Sequence, residues 1–426
     1  MSASPIRSVR WPRLLALVFV TYSLAYLDRV NYGFGAAGGL AKSLGITPNA
    51  ASLLGATFFL GYFLFQVPGG HYAESRSAKM LIFWGLLLWG AFASLTGVIT
   101  NLPLLFADRF ALGVVESVVL PGLIVFLSHW FTRGERSRAN TFLILGNPVT
   151  VLWASIVSGY LLAALGWRWM FVLEGIPAIV WAFVWLKLAD DEPHQARWLP
   201  EAERAALAAR LADEQRGIPA VASIGEALRR PAVVLLAAQY FCWSLGIYGF
   251  VLWLPSILKD ASGRGMVTVG WLTAVPYLAA VLAMLLVSAY SDRSGERKTL
   301  VAGSMLVGAL AFYVSFALGA SHFWLSFVAL IVAGAAMYAP YGPFFAVITE
   351  LLPKNVAGAA TAFVNSAGAL GGFAGAYLVG YLNGRTGSPG ASYTLMAGAL
   401  LLAALLMLGV RAAPRVPAAH AARGPA

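Results

Sequence analysis

Twelve apolar stretches, most of them about twenty residues long or more, run through this chain of 426 residues, separated by short polar turns. They fall at 13–34, 51–73, 79–99, 102–128, 138–164, 169–189, 232–258, 268–290, 299–318, 322–346, 355–382 and 391–411. About twenty residues of helix cross the ~30 Å hydrocarbon core of a bilayer, and with no water there every backbone N–H and C=O must be satisfied inside the segment. The sequence therefore points to an all-α membrane protein with twelve transmembrane helices. Composition agrees: 60% of residues are hydrophobic and 11% charged, against roughly 25% charged in a soluble domain. The first run carries Asp28 and Arg29 and lacks a small-residue cleavage site, so it reads as a retained helix rather than a signal peptide.

The turns carry an orientation signal. Of the 29 Lys and Arg residues, 22 fall in the two tails, the middle connection and every second turn, while the alternate turns hold only Lys42, Arg168, Lys259, Arg264 and Arg385. The positive-inside rule then places both termini and the middle connection in the cytoplasm. The same distribution explains the formal charge of +11 as topology, with no basic stripe for nucleic acid. The lone Cys242 excludes an internal disulfide and offers no metal cluster. Neither a phosphate loop nor a dinucleotide-binding turn occurs in a suitable context, so no cofactor is expected.

Residues 190–231 interrupt the hydropathy with Pro193, Pro200 and an Ala/Glu/Arg-rich piece expected to form an amphipathic cytoplasmic helix. The expected organisation is an N-terminal six-helix bundle at 1–189, this linker at 190–231, a second six-helix bundle at 232–411 and a disordered cytoplasmic tail at 412–426. Two bundles joined by a long connection suit a substrate path between rocking halves. The halves also echo one another. GGHYAESRSAK at 69–79 and SAYSDRSGERK at 288–298 each put acid and base into a cytoplasmic turn, so Glu74, Arg76, Asp292, Arg293 and Arg297 are candidate gating groups.

Ionisable side chains inside spans are costly unless they face protein, water or one another, which makes them the leading functional candidates. Tyr22, Tyr26, Arg29 and Gly33 form one stripe at spacings of four, three and four, with Asp28 rotated about 100° away. Arg29 can fork a carboxylate, and Tyr22 and Tyr26 can bond hydroxyls or pack on an aliphatic chain. The other reading is a structural Asp–Arg pair. Arg109 and Glu116 lie seven apart, ~10.5 Å along a helix, and can meet different partners more readily than each other. The apolar setting of Glu116, VVESVV, disfavours its charged form, so that protonation can substitute for charge pairing. A static or permanently protonated Glu116 is the alternative. Tyr62 and Gln66 can complete a hydroxyl-reading wall, and Asn147 before Pro148 can bind substrate or cap freed carbonyls. Tyr248, Asn365 and Ser366 are the partners expected from the second half. Asp108 and Glu174 read as anchors near helix ends, and the glycines of NSAGALGGFAGAYLVG read as close helix contacts.

The two cytoplasmic turns resemble the short-loop signature of the major facilitator superfamily, G-x-x-x-D-R-x-G-R-R, with Glu74 in place of the Asp and one glycine missing in the first copy. LDRVNYG, QVPGG, RFALGVVE, HWFTRGERSRAN and GWRWMF further resemble its anion:cation symporter branch. GATFFLGYFLFQVPGG with NTFLILGNPVTVLWASIVSGYL resembles bacterial sugar-acid permeases for aldonates such as L-galactonate or D-galactonate. The resemblance implies the major facilitator fold and a proton-coupled sugar-acid symporter of the bacterial inner membrane. Arg29 would hold the substrate carboxylate, Glu116 and Asp28 would carry coupling protons, and Arg109 would balance whichever acid is charged. Proton-independent uniport or exchange, and hexuronate or aromatic carboxylate substrates, stay open. A monomer among membrane lipids suffices for such a path.

Overall fold

The computed structural model describes residues 9–216, 228–351 and 354–410. The tail at 412–426 and part of the linker, 217–227, lie outside the described residues, as do the side chains of Glu74 and Glu350. In chain order the helices are α1 (Arg10–Ala37), α2 (Leu40–Leu44), α3 (Pro48–Ser75), α4 (Ala78–Val98), α5 (Leu102–Glu116), α6 (Val119–Trp130), α7 (Arg133–Leu188), α8 (Glu201–Arg216), α9 (Pro231–Ser262), α10 (Met266–Ser294), α11 (Arg297–Leu318), α12 (Phe323–Tyr338), α13 (Tyr341–Leu351), α14 (Lys354–Thr386) and α15 (Gly390–Gly409). There is no strand among the described residues.

Eleven helical stretches are long and apolar enough to cross a membrane. The twelfth crossing is hidden in α7, whose 56 residues would extend ~84 Å as one rod. Gly166 breaks that rod with φ +78°, a left-handed conformation that only glycine adopts without strain. The chain reverses on this single residue, making spans five (133–165) and six (167–188). The result is a multi-pass membrane protein with twelve spans.

Two spans are discontinuous where the hydropathy reads as unbroken. The fourth divides into α5 and α6 at Ser117 and Val118. Pro121, one helical turn on, has no N–H to give the Ser117 carbonyl, and its ring crowds that position. The tenth divides into α12 and α13 at Ala339 and Pro340, with Pro343 just beyond. The breaks occupy matching places in the two halves, and the first follows immediately on Glu116.

Spans one to six pack on one another, as do spans seven to twelve. The second set is held closely where Gly371 and Gly375 of α14 meet α9: a Cβ at either would lie 2.1 or 2.2 Å from the carbonyl oxygens of Phe241 and Leu245. The expectation of close helix contact for these glycines is met. Three seams join the sets: α1 with α9, α3 with α14, and span five with α10. At the end opposite the termini the seams are tight. A Cβ on Gly33 would lie 2.5 Å from the Leu252 carbonyl oxygen, one on Gly159 2.8 Å from that of Met266, and one on Gly270 2.6 Å from that of Ser155. Lys259 Nζ donates to the Ala37 carbonyl at 2.6 Å across the same end.

On the termini side the start of the linker folds back onto the first set. The Asp191 carboxylate caps α4, accepting from Ser77 Oγ at 2.5 Å and from the Lys79 amide at 2.7 Å, which suits the positive end of a helix. Trp130 donates to the Asp190 carbonyl and Trp198 to the Asp190 carboxylate. The two indoles stack at 5.5 Å, and the Arg13 guanidinium lies over Trp198. Beyond this seal α8 turns Leu207 inward, with Leu211 half-buried, and exposes most of its other described positions.

Candidate functional site

The site forms at the middle of the bundle, where α1, α3 and the broken fourth span face α9. Arg29 and Glu116 are both buried, and the guanidinium closes on the carboxylate: Nε and Nη2 donate to Oε1 at 2.8 and 2.6 Å. Its third edge, Nη1, donates to the Tyr248 hydroxyl at 3.1 Å, reaching across to the second half. Aromatic rings enclose the cation, with its central carbon 4.6 Å from the Tyr62 centroid, 4.9 Å from Tyr26 and 5.6 Å from Phe58. Such rings give a guanidinium cation–π attraction while excluding water. A charge pair removed from water in this way is worth little if intact and much if broken: loss of one partner costs about 3–5 kcal/mol. Glu116 Oε2 is buried without a hydrogen bond among the described residues.

Asp28 takes the other face of α1, as its rotation requires. Asn31, one turn on, donates Nδ2 to Asp28 Oδ1 at 3.1 Å. The charge of Arg109 acts on Asp28, as do those of Glu116 and Glu174. Arg109 itself is 2% exposed, lies over Tyr32 at 4.9 Å and Phe58 at 5.4 Å, and leaves Nε and Nη1 without acceptors among the described residues. Phe58 thus packs against two guanidiniums, those of Arg29 and Arg109. Arg109 and Glu116 do not pair, in line with their seven-residue separation.

The rest of the expected wall is partly assembled. Tyr22 and Tyr26 sit with ring centroids 6.2 Å apart, and Tyr22 packs against Gly146, next to the buried Asn147. Asn147 Oδ1 has no partner among the described residues. Gln66 and Ser366 meet across the two halves at 3.5 Å. Tyr248 also packs edge-on against Phe59 at 4.6 Å. Asn365 is half-buried one position from Ser366, with no hydrogen bond drawing it to Arg29. At the termini side Asp292 and Arg297 pair at 3.8 Å within their own turn, Arg76 is exposed, and Asp191 bonds Ser77 and Lys79 just beyond the first turn.

Sequence reasoning passed over several groups here. Glu174 is not a helix-end anchor: it lies seven residues inside span six, is 4% exposed, and accepts from Ser158 Oγ at 2.7 Å. Its apolar setting, MFVLEGIPA, is the signal that singled out Glu116, masked by the neighbouring Arg168. Asn31 stands at the helical spacing that reaches Asp28. Asp108, in contrast, is held locally by Thr96 Oγ1 at 2.7 Å.

The model of the family described as Major Facilitator Superfamily matches this chain over residues 18–267 and 257–426. The chain belongs to the major facilitator superfamily. A protein of Agrobacterium vitis named for tartrate transport is 33% identical over 96% of this chain and 91% of its own length. An Escherichia coli (strain K12) protein named for galactarate and D-glucarate transport is 26% identical over 88% of this chain and 87% of its own. The fold is shared with the crystal structure of a bacterial homolog to human lysosomal transporter, Spinster, with a TM-score of 0.71, 16% identity and 96% of each chain covered. This superfamily member is accordingly a transporter and not an enzyme.

Proposed function

We propose that this transporter imports a hydroxylated organic acid together with protons. The observation that supports the reading most is the Arg29–Glu116 pair: the fork suited to a substrate carboxylate is closed on a carboxylate of the chain itself. Substrate and Glu116 compete for one cation. If Glu116 were displaced while charged, a buried uncompensated ion would remain, at about 3–5 kcal/mol. A proton on Glu116 removes that cost, and the guanidinium passes to the entering anion with no net change of charge in the site. Substrate and proton therefore favour each other's binding, which is what symport requires.

Arg29 holds the carboxylate, Tyr248 completes the cradle from the second half, and Tyr22, Tyr26, Tyr62, Gln66, Asn147, Asn365 and Ser366 supply hydroxyl and amide contacts. Arg109, behind Phe58, balances Asp28. With both termini in the cytoplasm of a bacterial cell, the tight seams at Gly33, Gly159 and Gly270 seal the outer end, and loosening them opens the path outward. Glu74, Arg76, Asp292, Arg293 and Arg297 would act at the cytoplasmic turns. The path lies within one chain, so a monomer in the inner membrane suffices. Tartrate and L-galactonate are the first substrates to try, the former because a relative carries that name, the latter because of the motifs quoted above.

The test is uptake of each radiolabelled acid into proteoliposomes under an imposed inward proton gradient, repeated after the gradient is collapsed. Accumulation that vanishes on collapse supports the reading. Uptake that ignores the gradient makes Glu116 a static partner and the protein a uniporter or exchanger.

A further inference from the structure

At the end opposite the termini, each of the three seams between the halves carries a base from the second half. On the seam of α1 with α9, Lys259 Nζ donates to the Ala37 carbonyl at 2.6 Å. At the seam of α3 with α14, Arg385 lines a cavity of about 190 Å³ together with Tyr381 and Gly384 of its own helix and Thr47, Pro48 and Asn49 of the first half. Beside the seam of span five with α10, Arg264 stands two residues before Met266, whose carbonyl oxygen would lie 2.8 Å from a Cβ on Gly159. Arg264 and Arg385 are exposed and Lys259 is half-buried.

Each of these cations rests on a neutral group. Lys259 has its carbonyl, Arg385 Nη1 donates to the Tyr381 hydroxyl at 2.6 Å, and the Arg264 guanidinium lies over the Trp324 ring at 5.7 Å. None of the three is in an ion pair among the described residues. The other two bases at this end are similar: Arg168 donates to the Gly97 and Ile99 carbonyls at 3.1 and 3.3 Å, and Lys42 is exposed. Against these five bases the turns at this end hold a single acid, Asp260. A neutral partner positions a cation without cancelling its field, whereas a carboxylate would do both. Membrane insertion selects against bases in turns on this side, so their recurrence at all three seams is not explained by topology.

We propose that Lys259, Arg264 and Arg385 form a ring of uncancelled cations around the outer mouth, which gathers small organic anions where the seams part and feeds them to Arg29. The proposal rests on the reading above that an organic acid enters from this end, and it adds a capture step ahead of binding. Charges of one sign around a cleft with low-dielectric walls focus the field and raise the local concentration and on-rate of an oppositely charged ligand by about 10–10³-fold. The ring does not touch bound substrate: eleven residues of α9, about 16.5 Å of helix, separate Tyr248 from Lys259. Its influence is therefore long-range and falls as salt shortens the screening length.

Initial uptake of radiolabelled tartrate and L-galactonate by full-length protein in liposomes, oriented with the termini inside, tests the ring. Ionic strength is raised from about 0.01 to 0.15 M, over which the Debye length falls from ~30 to ~8 Å. Arg264→Gln combined with Arg385→Gln leaves the Lys259 contact with Ala37, and so that part of the seal, in place. At low salt this variant's apparent KM should rise about tenfold, the difference should shrink as salt is added, and the steady-state accumulation ratio should stay at the wild-type value. Arg264→Lys with Arg385→Lys keeps both charges while altering their contacts, and should retain the wild-type KM. A double-Gln variant with the wild type's KM and salt slope, or a double-Lys variant as impaired as the double-Gln one, would overturn the ring. A readout that needs no transport separates this from the import reading. A spin label at the exposed Ser388, in nanodiscs at low salt, is relaxed by anionic chromium oxalate and by a neutral nickel chelate. The ratio of the two effects should be at least about threefold higher in the wild type than in the double-Gln variant, one kT of potential being worth that factor. Equal ratios refute the ring whatever uptake shows. If neither acid is taken up while the ratios differ as expected, the import reading fails for these substrates and the anion-gathering field stands.

Discussion

Glu116→Gln separates a competitor from a mere structural partner. In the wild type, Arg29 gives two hydrogen bonds, at 2.8 and 2.6 Å, to one oxygen of a buried carboxylate. A substrate that takes the guanidinium from charged Glu116 must leave that ion behind at about 3–5 kcal/mol, roughly a hundredfold to several thousandfold in affinity. Binding should therefore weaken as pH rises through the ionisation of Glu116, by about tenfold per unit, until the full penalty is reached. Glutamine carries no charge at any pH, can still accept one bond from Arg29, and yields the guanidinium readily. The variant should bind its acid with an affinity that stays flat across the neutral range and matches the wild type's low-pH limit, while losing proton-driven accumulation. Equilibrium binding of radiolabelled tartrate or L-galactonate to purified protein at a series of pH values measures both curves. A Glu116→Gln protein with the wild type's pH slope would refute the competition argument, since the proton responsible would then sit elsewhere.

Three further outcomes follow from named contacts. Arg29→Gln should abolish binding and destabilise the fold by about 3–5 kcal/mol because Glu116 is left unpaired; adding Glu116→Gln should restore thermal stability in a melting assay without restoring binding. Gly270→Val puts atoms where a Cβ is already 2.6 Å from the Ser155 carbonyl oxygen, so the outer end should fail to close, uptake should be lost, and spin labels at the exposed Lys42 and Ser388 should move apart. Asp191→Ala removes the bonds from Ser77 Oγ and the Lys79 amide at the start of α4 and should lower unfolding stability by about 1–2 kcal/mol, read by thermal melting, with substrate affinity unchanged.

Much of this molecule could be read from residue order, and the exceptions have physical reasons. Hydropathy located the spans because the bilayer sets their length, and it resolved spans five and six even though the helix between them is interrupted at Gly166 alone. Arg29 and Glu116 were legible as costly charges in apolar runs. Their pairing was not, because they stand 87 residues apart and helical periodicity says nothing about which spans adjoin. Pro121 was visible, but apolar residues on both sides hid its effect on the carbonyl of Ser117. Glu174 was misplaced because depth was judged from nearby Arg168, whereas the reversal at Gly166 sets where span six begins. Next to the turn around Glu74 and Arg76, Ser77 is bonded by Asp191, over a hundred residues further on. Local charge patterns identify groups that need partners; tertiary packing chooses them.

The fold-back of the linker shifts the boundary of the part that rocks. Hydropathy ends the first half at the close of span six, but Asp190, Asp191 and Trp198 are bonded and stacked onto Ser77, Trp130 and Arg13. Mechanically that stretch is cargo of the first half, riding with it through every cycle. Under the proposed rocking of the halves, lengthening the chain before that indole should add nothing to the swing.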